Sequence, residues 1–191
     1  MSRRPELEAV PHPAPERVGD RAIGLPLLLT LALLAAFAPI ATDLYLPGFP
    51  AIAHDLSGDA SGVQLTLTTF LIGLACGQLI MGPISDRFGR RSPLIVSAAL
   101  CVAAGALAAA APNLGVLVIA RLVQGLAGAG GMVIGRAIIA DLVTGRAAAR
   151  AFTLMLTVGG VAPVLAPLVG GLLSDPIGWR ACSGPSPACA P

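Results

Sequence analysis

The chain has 191 residues, of which 55% are hydrophobic and only 12% are charged, and its mean hydropathy is +0.84. These values exclude an ordinary soluble domain, because a chain of this length has no core large enough to bury so much apolar surface. The formal net charge is +2 and all 12 basic residues are arginines. Most of them precede the first apolar run or lie between runs, and they do not form a basic patch, so nucleic-acid binding is not expected.

Five apolar runs follow one another along the chain, each long enough to cross a membrane as a helix. Roughly 18 or more apolar residues span the hydrocarbon of a bilayer, and runs that do not alternate exclude a β-barrel. The polar, proline-rich segment 1–21 is predicted to be a disordered tail, and 174–191 is a second tail. The sequence therefore predicts an all-α fold, a polytopic transmembrane helix bundle with spans at 22–42, 63–81, 93–111, 114–140 and 151–173.

The arginines predict the orientation of this bundle. Most of them precede the first span or occupy the second and fourth loops, whereas the first loop contains aspartates and no arginine. Positive residues in loops mark the cytoplasmic side of a membrane. The sequence therefore predicts a cytoplasmic N-terminus, and it places the tail after residue 173 outside the cytoplasm.

Asp43 closes the first span, just before Tyr45. A carboxylate in a partly dehydrated site can take up and release a proton within an accessible pH range. The alternative is a hydrated loop residue that flanks the helix, and position alone favours this alternative.

Arg121 lies about seven residues inside the fourth span, hence roughly 10 Å into the membrane at 1.5 Å per residue. A charge at this depth costs a few kcal/mol or more unless it faces a polar partner or a cavity. This favours a side chain that faces into the bundle, and the alternative is a side chain that extends to the outer interface. The other residues on its face of the helix are small or polar, with one methionine: Gln124, Gly125, Gly128, Met132 and Gly135.

Glycine and proline residues predict close packing in three spans. Gly73 with Gly77, and Gly131 with Gly135, form GxxxG pairs, a spacing that lets membrane helices approach closely. A sequence rich in alanine and glycine also produces such pairs by composition alone. The fifth span carries residues that bend or thin a helix, either at a moving interface or in static packing: Gly159, Gly160, Pro163, Pro167, Gly170 and Gly171.

Four segments on different spans carry the sharpest patterns: Thr42–Ala53, Gly82–Arg91, Arg121–Gly125 and Ala166–Gly171. The second resembles the loop signature of the major facilitator superfamily, and the third resembles its fourth-helix motif. The fourth resembles the fifth-helix antiporter motif, with Ala166 where glycine is usual. The first resembles the end of the first helix in the bicyclomycin/chloramphenicol (Bcr/CflA) drug-resistance branch.

The resemblance implies a proton-driven multidrug efflux antiporter in the bacterial cytoplasmic membrane. Such proteins have about twelve helices in two halves that rock around a central cavity, and they export small hydrophobic compounds. The resemblance implies that Asp43 carries the proton and that Arg121 lies beside its pathway. It implies helix packing at Gln124, Gly125, Pro163, Pro167, Gly170 and Gly171. It also implies a cytoplasmic latch between the halves, in which Asp141 pairs with a loop arginine and whose other residues are Gly82, Asp86, Arg87, Gly89, Arg90 and Arg91.

The chain departs from this family after Arg180, where ACSGPSPACAP has too few residues to span a membrane. We therefore expect a fragment without the sixth helix and the second half, inactive alone, or else a small membrane subunit that pairs with a partner half. A membrane enzyme is not expected, because the chain has only two histidines, both in polar segments, and no lysine for a Walker loop or a Schiff base. No cofactor and no metal are expected.

Overall fold

The computed structural model describes residues 24–56 and 59–177. Five helices in these ranges are long and apolar enough to cross a membrane, and the ranges contain no strand. The all-α transmembrane bundle predicted from hydropathy is therefore confirmed. The elements are α1 Leu25–Asp43, a 3₁₀ turn Leu46–Gly48, α2 Phe49–Asp55, α3 Ala60–Phe88, α4 Arg91–Ala109, α5 Leu114–Leu142 and α6 Gly145–Ile177.

Helix α3 extends well beyond its predicted span. It continues to Phe88, so the segment Gly82–Arg91 is mainly the last turns of a helix rather than a loop, and Pro83 is accommodated inside it. Only Gly89 and Arg90 separate α3 from α4. Gly89 has a φ of 79°, a left-handed conformation that glycine adopts without steric cost. Hydropathy ends the predicted span early because these last turns are polar, but a helix continues as long as its backbone groups find partners.

Two further boundaries differ from the prediction. Helix α6 begins at Gly145 and continues to Ile177, past the predicted end at 173 and into the segment assigned to the outer tail. The loop predicted at 43–62 contains the 3₁₀ turn and α2. The predicted tail 1–21 and residues 178–191 lie outside the described residues.

The two ends of the bundle have separate cores of buried apolar side chains. The Tyr45 end comprises the ends of α1 and α4, the helix α2 and the starts of α3 and α5. The Arg90 end comprises the ends of α3 and α5 and the starts of α1, α4 and α6. The core of the Tyr45 end includes Tyr45, Ile52 and Leu117, and the core of the Arg90 end includes Leu31, Ile139 and Met155.

Helix α5 lies at the centre of the described bundle, where it packs against α1, α3 and α4. Glycines bring its backbone directly against that of α3. A Cβ atom on Gly125 would overlap the carbonyl oxygen of Phe70 in α3, and a Cβ atom on Gly73 or Gly77 would overlap carbonyl oxygens of α5. The Gly73–Gly77 pair is therefore a close helix contact rather than a product of composition.

Other residues of α5 contact α1 and α4. A Cβ atom on Gly131 would overlap the Leu34 carbonyl of α1, whereas at Gly135 the nearest atom would be 3.6 Å away, which is an ordinary contact. Only one member of the second GxxxG pair therefore requires glycine. Towards α4, the Ser97 hydroxyl donates a hydrogen bond to the Ala127 carbonyl at 2.7 Å.

We expect Gly125→Ala to lower the free energy of unfolding by about 1–3 kcal/mol, because the new methyl group forces α3 and α5 apart. Gly159→Ala is the matched control. A Cβ atom there meets nothing within 4 Å, and alanine favours the helix by up to about 1 kcal/mol. The measurement is unfolding in mixed micelles with increasing dodecyl sulfate, followed by circular dichroism. Equal stability of the two variants would contradict the assigned α3–α5 contact.

Candidate functional site

Arg121 lies inside the bundle at the Tyr45 end, with only 2% of its surface exposed. Its guanidinium carbon is 3.4 Å from the centre of the Tyr45 ring, and its Nη1 donates a hydrogen bond to Gln124 Oε1 at 3.3 Å. Nε and Nη2 are buried and have no hydrogen-bond partner among the described residues. The side chain therefore does not extend to the outer interface, and Gln124 and Gly125 are buried on the same helix.

Tyr45, which covers Arg121, is 1% exposed and lies in the turn after α1. Its hydroxyl is 3.0 Å from Thr66 Oγ1 in α3, and the Thr66 hydroxyl donates to the Val63 carbonyl, so Tyr45 is the donor. The Phe49 ring packs edge-to-face against it, with ring centres 5.3 Å apart. A desolvated cation–π contact contributes about 2 kcal/mol or more. The ring therefore offsets part of the cost of burying the Arg121 charge.

Asp43 is the last residue of α1 and is half-buried. It belongs to the same end of the bundle as Arg121, but no ion pair joins it to any residue in the ranges 24–56 and 59–177. Nor does it belong to a metal site, since no group of three or more His, Cys, Asp or Glu in those ranges could hold a metal ion. The structure thus places both predicted proton-coupling residues at one end and leaves them unpaired with each other.

An apolar groove of about 500 Å³ runs between α1 and α6, and its lining includes Ile40 of α1 and Leu44, the residue directly after α1. Thr157 is the one polar residue among the described residues that line it. The Thr157 hydroxyl donates to the Thr153 carbonyl of the same helix at 2.8 Å, so only its oxygen lone pairs remain for a ligand. Such a groove fits an uncharged, apolar molecule.

The proline–glycine motif of α6 lies partly in this groove. Ala166 lines the groove and Pro163 is half-buried, whereas Pro167 is exposed. Helix α6 is continuous through both prolines and includes Gly170 and Gly171. The motif therefore does not break the helix, and part of it faces away from the described bundle.

Arg90 connects the ends of α3 and α5 at the opposite end of the bundle. Its Nε donates to Asp141 Oδ2 at 2.9 Å, and its Nη1 donates to Ser85 Oγ at 2.8 Å and to the Asp86 carboxylate. The hydrogen bonds to Asp141 and Asp86 raise the pKa of the Arg90 guanidinium above its usual value. Asp141 therefore pairs with an arginine that stays charged across the physiological pH range.

The remaining residues of the predicted latch have different surroundings. Arg87 is exposed and stacks over the Phe88 ring, with its guanidinium carbon 5.6 Å from the ring centre. Arg91 is exposed and begins α4. A Cβ atom on Gly82 or Gly89 would meet nothing within 4 Å. In the described part of the chain, neither these two arginines nor these two glycines take part in the ion pairs of Arg90.

Sequence patterns do not point to three of the residues that make these contacts. The fully buried Ser85 hydroxyl donates to the Gly82 carbonyl at 2.9 Å and accepts from Arg90, but it lies in a run that reads as a loop. Thr66 is one threonine among several in α3. Tyr45 lies within the Thr42–Ala53 pattern and is the only tyrosine in the chain, but neither feature predicts its contact with Arg121.

We expect Arg90→Ala to speed amide hydrogen exchange severalfold at the end of α3, because it removes the bonds that tie α3 to α5. Arg91→Ala is the matched control, since Arg91 is exposed and forms no ion pair with a described residue. The measurement is mass spectrometry of peptides covering 82–91. The difference should shrink at about 1 M salt, where the Debye length is about 3 Å. Equal amide exchange rates in both variants at low salt would show that the Arg90 hydrogen bonds do not hold α3 to α5.

Comparisons with known proteins agree with the sequence signatures. The family model of the Major Facilitator Superfamily matches residues 31–183. The uncharacterized MFS-type transporter YdgK of Bacillus subtilis is 46% identical over 149 residues, which cover 78% of this chain and 37% of that protein. The Bicyclomycin resistance protein homolog of Haemophilus influenzae is 37% identical over 155 residues, covering 81% of this chain and 39% of that protein. The Chloramphenicol resistance protein of Pseudomonas aeruginosa is 33% identical over 159 residues, which cover 81% of this chain and 38% of that protein.

The chain spans about two fifths of the length of the curated relatives that it matches. The matched residues include Arg121, Asp43 and the Arg90 network, so the family model covers both sites as well as the helices. Because this match covers well over half of the chain, the chain belongs to the Major Facilitator Superfamily of membrane transporters and is similar to its bicyclomycin and chloramphenicol resistance branch.

Proposed function

We propose that the chain supplies a substrate groove and proton-coupling residues to an exporter of small apolar compounds. The observation that carries the proposal is the groove of about 500 Å³ between α1 and α6, whose described lining is apolar apart from Thr157. Such a surface binds its ligand by burying apolar area rather than by hydrogen bonds. Two relatives are named for resistance to bicyclomycin and to chloramphenicol. A small, uncharged, drug-like substrate is proposed here on that basis.

In the proposed mechanism Asp43 carries the proton and Arg121 attracts its charged form. The free Nε and Nη2 atoms lie on one edge of the Arg121 guanidinium, which is the geometry that binds a carboxylate through two parallel hydrogen bonds. The deprotonated carboxylate of Asp43 is attracted to this edge, whereas the protonated form is not. Each proton exchange therefore shifts the end of α1. Because Leu44 follows Asp43 and lines the groove, the shift changes the groove as well.

The distribution of arginines supports a cytoplasmic Arg90 end. Arg87, Arg90, Arg91, Arg146 and Arg150 all lie at this end, whereas the described loops of the Tyr45 end contain no arginine. Positive loop residues concentrate on the cytoplasmic side of a membrane. We therefore propose that the chain lies in the bacterial cytoplasmic membrane with its N-terminus in the cytoplasm.

One face of α3 supports the need for a second helical bundle. Gln64, Thr68, Gln78 and Asp86 are exposed and lie within about 40° of one line along the helix, and Gly82 on the same line has open space around it. Polar side chains in a membrane favour contact with protein over contact with lipid. We propose that this face packs against a second bundle, in a longer polypeptide or in a partner subunit, with Arg90 and Asp86 forming part of a latch.

The test is a chimera in which residues 25–177 replace the corresponding spans of the Bicyclomycin resistance protein homolog, in a host without its own exporters. We expect the chimera to confer drug tolerance and Asp43→Asn to reduce tolerance to that of the empty host, because an amide cannot carry the proton. Asp59→Asn is the matched control: it removes the same charge, and asparagine caps α3 as well as aspartate does. The measurement is the lowest inhibitory concentration, with membrane levels determined by blotting.

Three outcomes would contradict parts of this proposal. Full tolerance with Asp43→Asn would remove Asp43 from the mechanism. A chimera that reaches the membrane and confers no tolerance would refute the exporter function. The chain without a second bundle is expected to confer none, so clear tolerance in that case would refute the need for one.

A further inference from the structure

We infer that Tyr45 is a positioning residue for Arg121: its ring fixes the guanidinium so that the Nε–Nη2 edge stays free to receive a carboxylate. Three side chains from three elements carry this inference, namely Tyr45 after α1, Thr66 in α3 and Arg121 in α5. The inference bears on transport only through the proposed coupling of Asp43 and Arg121. Its main test does not depend on transport.

Two contacts restrict the orientation of the Arg121 side chain. The Tyr45 ring covers one face of the guanidinium, whose Cζ is 3.4 Å from the ring centre, and Gln124 Oε1 holds Nη1 at 3.3 Å. A planar group that is stacked on one face and bonded at one nitrogen has a defined direction for its remaining donors. The two nitrogen atoms without a partner in the described part of the chain are Nε and Nη2, and both are buried. They form the edge that binds a carboxylate bidentately.

Tyr45 is itself held from two sides. Its hydroxyl donates to Thr66 in α3 at 3.0 Å, and its backbone N–H donates to the Thr42 carbonyl of α1 at 3.3 Å. The second bond places Tyr45 in the same turn as Asp43. A movement of this turn that brings Asp43 towards Arg121, or away from it, therefore moves the ring at the same time. The contact of the Tyr45 ring with the Arg121 guanidinium is thus kept or lost in step with the position of Asp43.

The other charged groups at the Tyr45 end have partners elsewhere. His54 Nδ1 and Asp55 Oδ1 of α2 lie 3.6 Å apart. Asp59 accepts hydrogen bonds from the Ser61 hydroxyl and from the Gly62 backbone N–H at the start of α3. In the described part of this end, these contacts leave Asp43 as the acidic residue for the free edge of Arg121.

The first test compares how fast phenylglyoxal modifies Arg121 and Arg136 in the full chain in lipid nanodiscs, measured by mass spectrometry. Arg136 is exposed on the same helix and serves as the internal standard. We expect Tyr45→Leu to raise the Arg121-to-Arg136 ratio about thirtyfold, the factor that matches loss of a buried cation–π contact, and Tyr45→Phe to stay within about twofold of the unsubstituted chain. An unchanged ratio with Tyr45→Leu, or an equal rise with both variants, would overturn the inference.

A second measurement leaves Tyr45 in place. Because Tyr45 is the only tyrosine in the chain, biosynthetic fluorotyrosine gives a single fluorine NMR resonance. We expect Arg121→Met to shift this resonance and Arg136→Met, the matched control on the same helix, to leave it in place. An unmoved resonance with Arg121→Met would overturn the inference even if the Tyr45→Leu chain did not fold.

Transport by the chimera distinguishes this inference from the proposed function. We expect Tyr45→Phe to keep tolerance and Tyr45→Leu to lose most of it. If the chimera exports nothing while the labelling and NMR results hold, the proposed function fails and the role of Tyr45 in holding Arg121 stands. If tolerance survives Tyr45→Leu, Tyr45 does not position Arg121 for coupling, and the inference is overturned.

Discussion

The backbone of α5 lies against the backbones of α1 and α3 because glycine occupies the contact positions. At Gly73, Gly125 and Gly131 a side chain would enter the space of a neighbouring carbonyl group. Lipid gives helices no hydrophobic reason to associate, so van der Waals contact and buried polar contacts must hold the bundle together. This closeness also allows the bundle to enclose Arg121, because a more loosely packed set of helices would leave room for the side chain to reach the membrane surface.

The buried charge of Arg121 lowers the stability of the bundle, so its presence calls for a role other than stabilising the fold. The Tyr45 ring and the Gln124 amide compensate part of the cost of burying Arg121, but two of its nitrogen atoms find no partner among the described residues. An apolar side chain of similar volume at such a position is often neutral for stability, or stabilising. The proposed role of Arg121 in transport therefore explains an incompletely paired buried cation better than its contribution to the fold does.

Hydropathy predicts the number and order of the membrane helices, because long apolar runs have no other place to lie than in lipid. It does not predict where α3 ends, since Ser85 and Asp86 are polar and yet helical. The family resemblance predicts that Asp141 pairs with a loop arginine, but it does not predict which arginine, because that depends on how the turn at Gly89 places the side chains. The contact between Tyr45 and Arg121 has no local signal at all, because it joins distant parts of the sequence through the packing of α1, α3 and α5.

Helix α6 is attached to the bundle differently from the other long helices. Over residues 145–169 no hydrogen bond or ion pair joins α6 to another described helix, and it meets α1 through apolar side chains such as Ala151 and Met155. Apolar contacts have no preferred direction. The distance between α1 and α6 can therefore change without breaking a specific bond. If the groove binds substrate as proposed, small displacements of this one helix would let it accept molecules of different widths.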